Sequence, residues 1–237
     1  MKYYVLIMLF LSAVLGIAQA VKPEVTLEIS GAITGTIVLE LYPDKAPVTV
    51  ANFLNYVKTG FYDGLIFHRV LPNFMIQGGG YNPSLVKQET GAPILNESIN
   101  GLLNLRGTVA MARTPYPHSA TAEFFINHIN NSFLDFGAVA YDGNSNAYYS
   151  AGYCVFGRVI RGMDIVDAIA LVPTKTVGSL ANVPQNSIII QTAAITVEAP
   201  VCAEQLEGDI NGDCTVDLHD FLLMAQNWMI TNETTSE

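Results

Sequence analysis

Alternating apolar and polar residues predict β-strands along most of the chain. Residues 34–42 show this period of two most plainly, because Ile37, Leu39 and Leu41 fall on one face and would be buried there. Residues 25–30 carry a similar alternation and are joined to 34–42 by a short turn that contains glycine. Further short strands are predicted at residues 65–70, 74–77, 108–112, 123–127, 154–159 and 187–197.

Two segments change to the helical period. In "PDKAPVTVANFLNYVKTG" apolar residues recur at helical spacing, Asp44 is the predicted N-cap and Gly60 ends the run. A second, shorter helix is predicted over "GMDIVDAIALV", ending before Pro173. Many short strands with two helices predict a mainly β fold, an antiparallel barrel or sandwich capped by helices.

The first segment of the chain, residues 1–20, has the layout of a secretory signal peptide. One lysine is followed by an uncharged apolar run and then by Ala18-Gln19-Ala20. We therefore predict cleavage after Ala20 and an exported protein, in the periplasm, secreted or at the cell surface. Because the run approaches the length that spans a bilayer, an uncleaved membrane anchor is the alternative. After cleavage we expect no membrane association.

The acidic charge is concentrated at the C-terminal end. The net charge is −10, and the residues from Val201 onward hold eight acids with no Lys or Arg. Pro200 and this change of charge predict a main domain at 24–199, a linker at 200–207, a further segment at 208–230 and a flexible tail at 231–237. Neither the near-neutral main domain nor the acidic tail offers the basic face that a nucleic-acid partner requires.

One cation interrupts an apolar segment. In "IFHRVLPNFMIQGGG", residues 66–80, Arg69 lies among large apolar residues, and the segment closes on three glycines. An arginine at a strand end is usually a surface residue paired with an acid, so its position alone does not indicate catalysis. Three other segments change that interpretation.

Together with those segments, residues 66–80 resemble the cyclophilin family of peptidyl-prolyl isomerases. The other three are "GTIVLELYPDKAPVTVANFLNYVKTGFYDG", "GTVAMARTPYPHSATAEFFIN" and "VFGRVIRGMDIVDAIA", in the family's order and spacing. The resemblance covers roughly residues 24–198 and is closest to the bacterial exported branch, where "MAR" and "PHSAT" occur. It implies an eight-stranded antiparallel barrel closed by two helices, proline-containing polypeptides as substrates, and no cofactor for catalysis.

The reaction explains why such a site needs an arginine in apolar surroundings. Rotation about a peptide bond breaks amide resonance, with a barrier of about 18–20 kcal/mol, and uncatalysed X-Pro isomerisation takes roughly 10–100 s. No bond is made or cleaved, so neither a nucleophile nor a metal is required. In the twisted amide the prolyl nitrogen regains its lone pair and accepts a hydrogen bond. Arginine keeps its proton and offers a fixed fork of donors.

The resemblance assigns roles to individual residues. Arg69 matches the family's catalytic arginine, and Gln77 matches the residue that holds this arginine and the substrate backbone. The positions that form the proline pocket match Phe74, Met75, Phe125 and Leu134. The strand that pairs with the substrate main chain matches Ala112 and Arg113.

Three more residues of the predicted substrate-binding set depart from the common pattern. Glu123 stands where many members have Gln, Phe133 where some have Trp, and Tyr153 where others have a pocket His. We expect Glu123 to change the activity, either raising or lowering it. We expect Phe133 to weaken the binding of cyclosporin-type inhibitors and to leave proline turnover intact. Residues 137–152 are longer than the usual connection. A solvated loop is the favoured interpretation, and a lip over the groove is the alternative.

The acidic tail carries a calcium-type pattern. "DINGDCTVDLHD" has the spacing of an EF-hand loop and, with the apolar helix predicted after it, resembles one repeat of a type I dockerin. The implied Ca²⁺ ligands are Asp209, Asn211, Asp213, Thr215 (through its carbonyl), Asp217 and Asp220. Dockerins have two repeats and this chain has one, so a cohesin-like partner, a cell-surface or sorting tag, and a solvated acidic linker all remain open.

The three cysteines receive different interpretations. Cys154 lies in an apolar strand and is expected to be inert. Cys202 and Cys214 flank the start of the acidic loop, and a disulfide between them is a hypothesis for an exported protein. Cys214 also occupies the loop position where an EF-hand normally has glycine.

Three functions compete at this point. The first is an exported isomerase that accelerates X-Pro isomerisation during protein folding. The second is a binding module that captures proline-containing segments without turnover, and the third is a scaffold whose activity is calcium-dependent assembly. Arg69 and the intact apolar pocket favour the isomerase.

Overall fold

The alternating segments form strands as their pattern predicts. In β1 (Glu24–Gly31) and β2 (Gly35–Leu41) the inward-facing residues Val25, Leu27, Ile37 and Leu39 are fully buried. The computed structural model describes residues 22–141 and 147–197, and in the acidic tail only residues 208, 216, 220, 221 and 224. Within these residues no helix is both long and apolar enough to cross a membrane.

The main sheet has eight antiparallel strands in the order β12-β1-β2-β9-β5-β6-β4-β3. Its further members are β3 (Phe67–Leu71), β4 (Met75–Gly78), β5 (Thr108–Met111), β6 (Phe124–Asn127), β9 (Val155–Arg161) and β12 (Ile188–Val197). The sheet curls into a half-barrel. Its two outer strands approach each other where the Ile190 amide donates to the Leu65 carbonyl at 2.7 Å and the Gly64 amide donates to the Ile190 carbonyl at 2.8 Å. Within residues 22–141 and 147–197 the prediction of a mainly β, antiparallel fold with two helices is confirmed.

Two hairpins were not predicted. β7 (Val139–Tyr141) pairs with β8 (Ala147–Tyr149) inside the segment interpreted as a solvated loop. Its side chains at Val139, Tyr148 and Tyr149 are exposed, as that interpretation expects, but its backbone forms a ladder. β10 (Thr174–Val177) pairs with β11 (Leu180–Pro184), and β11 packs against β3.

Helix α1 (Pro47–Lys58) fills the open side of the sheet, and α2 (Met163–Ala170) packs against β2. Phe53 on α1 lies at the centre of an aromatic cluster, with its ring 5.2 Å from that of Tyr62, 5.4 Å from Phe124 and 5.1 Å from Phe156. Tilted and edge-on ring pairs at these distances add to the stabilisation from burial. The cluster supports β6 from behind, so it holds one wall of the groove described below.

A distant carboxylate caps α1. The residue before the helix is Ala46, and no side chain at that position makes a cap; the prediction of Asp44 as N-cap is therefore wrong. Glu97 accepts hydrogen bonds from the Val48 amide at 3.1 Å, the Thr49 amide at 2.8 Å and the Thr49 hydroxyl at 2.6 Å. Burial raises the pKa of Glu97, and these hydrogen bonds partly offset that rise. The carboxylate thus satisfies amides that a helix N-terminus leaves without a partner.

The Cys154 thiol should not react in the folded protein. Its side chain is buried beside Thr49, 3.5 Å from the hydroxyl, and burial raises its pKa to about 12. Since the thiolate is the nucleophile, the burial of the side chain and the small fraction of thiolate both slow alkylation at neutral pH. We expect peptide mapping after iodoacetamide treatment to find Cys154 unmodified in native protein and modified after denaturation. Modification of native protein at a comparable rate would contradict this account.

Candidate active site

A groove of about 470 Å³ opens on the outer face of the curled sheet, at the β3–β4–β6 end. It brings together ten of the residues predicted for the site, from segments spread over more than 80 positions of the sequence: Arg69, Phe74, Met75, Gln77, Ala112, Arg113, Glu123, Phe125, Leu134 and Tyr153. β3, β4 and β6 are neighbours in the sheet, with Arg69 opposite Gln77 and Gln77 opposite Phe125. Strand register therefore places the arginine beside the apolar wall.

A chain of hydrogen bonds runs along the polar side of the groove. Arg69 Nη1 donates to Gln77 Oε1 at 3.3 Å, and Gln77 Nε2 donates to Glu123 Oε2 at 2.8 Å. The Arg69 guanidinium also lies 5.8 Å from the centre of the Phe74 ring. Arg69 is thus held from one side by Gln77 and lies over an aromatic ring on the other, and none of the carboxylates that the structure describes pairs with it directly.

Glu123 is held by two cationic or potentially cationic side chains. His68 Nε2 lies 3.3 Å from Glu123 Oε2, and Lys87 Nζ lies 3.5 Å from Oε1. Burial acts to raise the pKa of Glu123, but the hydrogen bonds and charges of His68, Gln77 and Lys87 outweigh it, and the pKa is lowered. The carboxylate therefore stays ionised at neutral pH.

The apolar side of the groove is a small core of its own. Met75, Phe125 and Leu134 are buried there, and Phe74 packs against them at the rim. Phe125 meets the Tyr153 ring edge-on, with 5.7 Å between ring centres. Arg113 lies over the other part of this wall, 4.3 Å from the Tyr153 ring centre. These side chains present a dry, ring-lined surface of the kind that a proline ring fits.

Phe133 lies just outside the residues that line the groove. Its ring stacks on Phe74 with 5.6 Å between centres, and its side chain is 59% exposed. It therefore supports the rim and offers an aromatic face next to the pocket.

Sequence reasoning missed part of the lining. His68 was not among the predicted site residues, yet this buried side chain borders the groove and holds Glu123. Tyr81 and residues 179–182, at the start of β11, complete the lining. The His68 position next to Arg69 was the one local signal available. Nothing in the polar hairpin sequence indicates that β11 packs on β3.

The remaining predicted sites concern the tail. Asp209, Asn211, Asp213, Thr215, Asp217, Cys202 and Cys214 lie outside the described residues. Asp220 is described, and its side chain is buried. Within the described part of the chain no group of His, Cys, Asp and Glu has the arrangement of a metal site.

Comparison with known proteins gives the same family as the motifs whose residues line the groove. Residues 24–195 match the family described as cyclophilin type peptidyl-prolyl cis-trans isomerase/CLD. A peptidyl-prolyl cis-trans isomerase of Acinetobacter baylyi is 52% identical over 161 residues, which cover 68% of this chain and 80% of that protein. Peptidyl-prolyl cis-trans isomerase B of Escherichia coli is 49% identical over 162 residues, covering 68% of this chain and 94% of that protein.

Solved structures share the fold. The crystal structure of a Cryptosporidium parvum cyclophilin type peptidyl-prolyl cis-trans isomerase covers 75% of this chain and 99% of its own, with a TM-score of 0.61 and 23% identity. A second structure of that protein, in the presence of the dipeptide Ala-Pro, has a TM-score of 0.60.

Proposed function

Because the chain belongs to the cyclophilin-type peptidyl-prolyl cis-trans isomerases and is itself such an isomerase, we propose that it twists the X-Pro amide without covalent chemistry, with Arg69 as the donor. One observation carries this assignment: a guanidinium held by Gln77 lies against an aromatic wall in a groove of suitable size. A donor fixed in place before reaction costs little reorganisation, and low-dielectric surroundings strengthen it.

Each wall of the groove has a part in this proposal. The substrate proline ring packs against Phe74, Met75, Phe125 and Leu134, which removes the ring from water. Arg69 then donates to the prolyl nitrogen as the amide twists, since only the twisted form has a localised lone pair to accept the bond. Interactions that strengthen in the transition state are the ones that raise the rate.

The substrate main chain extends along residues 112–113 in our proposal. The Ala112 amide already donates to the Glu123 carbonyl at 2.9 Å, so pairing with substrate falls to other backbone groups of these two residues. The Arg113 side chain donates to the Gly152 carbonyl at 2.9 Å and the Thr114 carbonyl at 2.9 Å. Arg113 thereby ties residues 112–114, which follow β5, to the backbone at Gly152.

The test of function is exchange of a short X-Pro peptide observed by NMR. Purified protein at catalytic concentration should accelerate cis–trans exchange over the uncatalysed time of roughly 10–100 s. Peptide signals that shift without accelerated exchange would indicate a binding module without turnover.

We further propose that the enzyme acts on exported polypeptides during their folding. The support is the signal-peptide layout of residues 1–20. Expression in a bacterial host followed by mass measurement tests it: a periplasmic product that begins at Val21 is expected. A cytoplasmic product that retains the first 20 residues would refute export.

The tail is proposed to bind Ca²⁺ through residues 209–220, with a disulfide between Cys202 and Cys214. The support is the spacing of oxygen-bearing residues in the sequence. Calorimetric Ca²⁺ titration of the protein and of Asp213→Ala should give binding that is lost in the variant. Equal heats would refute the site, and free thiols in non-reducing peptide maps would refute the disulfide. A cohesin-like or cell-surface partner would bind this segment.

A further inference from the structure

Glu123 makes contacts that a substrate-binding carboxylate would not need. Both of its oxygens face protein donors: Gln77 Nε2 and His68 Nε2 at Oε2, and Lys87 Nζ at Oε1. We propose that Glu123 is a positioning residue that sets the orientation of the Gln77 side-chain amide and, through it, the direction of the Arg69 guanidinium. This inference deepens the proposed function and rests on it, because it assumes that Arg69 is the catalytic donor.

The orientation of Gln77 follows from what each neighbouring group can donate or accept. An ionised carboxylate only accepts, whereas the Gln amide has a donor end and an acceptor end. Beside Glu123, Gln77 must present its NH₂, at 2.8 Å, and so turns its oxygen toward Arg69 Nη1, at 3.3 Å. The reverse orientation would set two donors against each other at Arg69 and two acceptors against each other at Glu123.

A neutral amide at position 123 would weaken this selection, because Arg69 alone would then oppose the reversed orientation of the Gln77 amide. Gln at that position can meet either end of the Gln77 amide by turning over its own amide. The orientation that faces Arg69 with NH₂ would then be penalised on one side instead of two and so more populated, and in it the guanidinium loses its acceptor. A charge-assisted hydrogen bond is also stronger than a neutral one. The carboxylate therefore holds Gln77 more firmly than a neutral amide would, in addition to favouring one orientation of it.

The backbone leaves a space shaped for the Glu123 side chain. A Cβ built on Gly80 would lie 2.6 Å from Glu123 Cγ and Cδ, closer than atoms approach. Gly80 lies outside the left-handed backbone region, so alanine is conformationally permitted there. Alanine at position 80 would therefore displace the carboxylate without changing its charge. The buried His68 holds the same carboxylate from the protein interior.

Glu123→Gln and Gly80→Ala test the proposal by separate routes. We expect Glu123→Gln to lower kcat for peptide exchange by about tenfold, as loss of a charge-assisted hydrogen bond does, with little change in KM. Gly80→Ala should change kcat in the same direction. Glu40→Gln is the matched control: its side chain is 22% exposed against 18% for Glu123, and it pairs with Arg158 on β9, outside the groove. Its kcat should equal that of the wild type.

NMR of the Gln77 side-chain amide reports on positioning directly. In the wild type we expect one Gln77 NH₂ signal pair, which shifts at acid pH as Glu123 gains a proton. In Glu123→Gln we expect doubled or broadened signals. If Glu123→Gln does not fold, Gly80→Ala and the wild-type titration decide. A wild-type Gln77 signal pair that is insensitive to acid, or full kcat in a folded Glu123→Gln, overturns the proposal.

Failure of the proposed function gives a different result. Arg69→Ala, measured in the same series, would then retain wild-type exchange whatever the Glu123 variants do. Loss of activity in Arg69→Ala together with full kcat in Glu123→Gln would overturn only the positioning role.

Discussion

Replacing Arg69 with alanine should lower kcat/KM for X-Pro exchange by about 100- to 1000-fold, the usual loss when one preorganised transition-state donor is removed. The pocket formed by Phe74, Met75, Phe125 and Leu134 does not depend on the guanidinium, because these side chains pack on one another. Peptide binding should therefore weaken much less than turnover. Exchange spectroscopy at several peptide concentrations separates the two effects.

Two further variants define what Arg69 supplies. Arg69→Lys keeps a positive charge but not the planar fork, so we expect activity between those of the wild type and the alanine variant. Arg161→Ala removes an exposed arginine at the end of β9 and should leave exchange unchanged. An Arg69→Ala protein that retains more than about half of the wild-type rate would contradict the donor role, because a preorganised donor contributes far more than a factor of two.

Replacing Glu97 with alanine should destabilise the protein by about 3 kcal/mol. The change leaves the Val48 and Thr49 amides and the Thr49 hydroxyl without their acceptor, and buried donors left unsatisfied cost about 1–3 kcal/mol each when water does not replace the partner. For a domain of this size a loss of about 3 kcal/mol lowers Tm by about 6–12 °C. Thermal unfolding followed by circular dichroism measures this shift.

A graded series separates capping from general packing. Glu97→Gln keeps the shape and one acceptor oxygen, so its Tm should fall between those of the wild type and the alanine variant. Glu89→Ala changes an exposed carboxylate and should leave Tm unchanged. A Tm within about 2 °C of the wild type for Glu97→Ala would mean that water satisfies the α1 amides instead.

The sequence predicted those features whose causes are local. Ile37, Leu39 and Leu41 alternate along one strand, and one face of that strand is buried as their period requires. Arg69 and its apolar neighbours were predicted to line a substrate site because the motifs that contain them resemble those of the cyclophilin family. The structure brings those neighbours together with residues more than 40 positions away.

The features that were missed depend on contacts between distant segments. Local capping rules select Asp44 for α1, but the acceptor comes from Glu97, 48 positions beyond Thr49. Residues 179–182, at the start of β11, join the groove only because β11 packs on β3. β8 (Ala147–Tyr149) is exposed on both faces, so no alternation of apolar and polar residues marks the β7–β8 hairpin in the sequence.

The most direct test of the role of Arg69 measures binding and cis–trans exchange of one X-Pro peptide by NMR, with wild-type protein and with Arg69→Ala. The account predicts peptide signals that shift with both proteins, and cis–trans exchange that is fast with the wild type and close to the uncatalysed rate with the variant. Fast exchange with both proteins would contradict it, because the twisted amide would then be stabilised without Arg69.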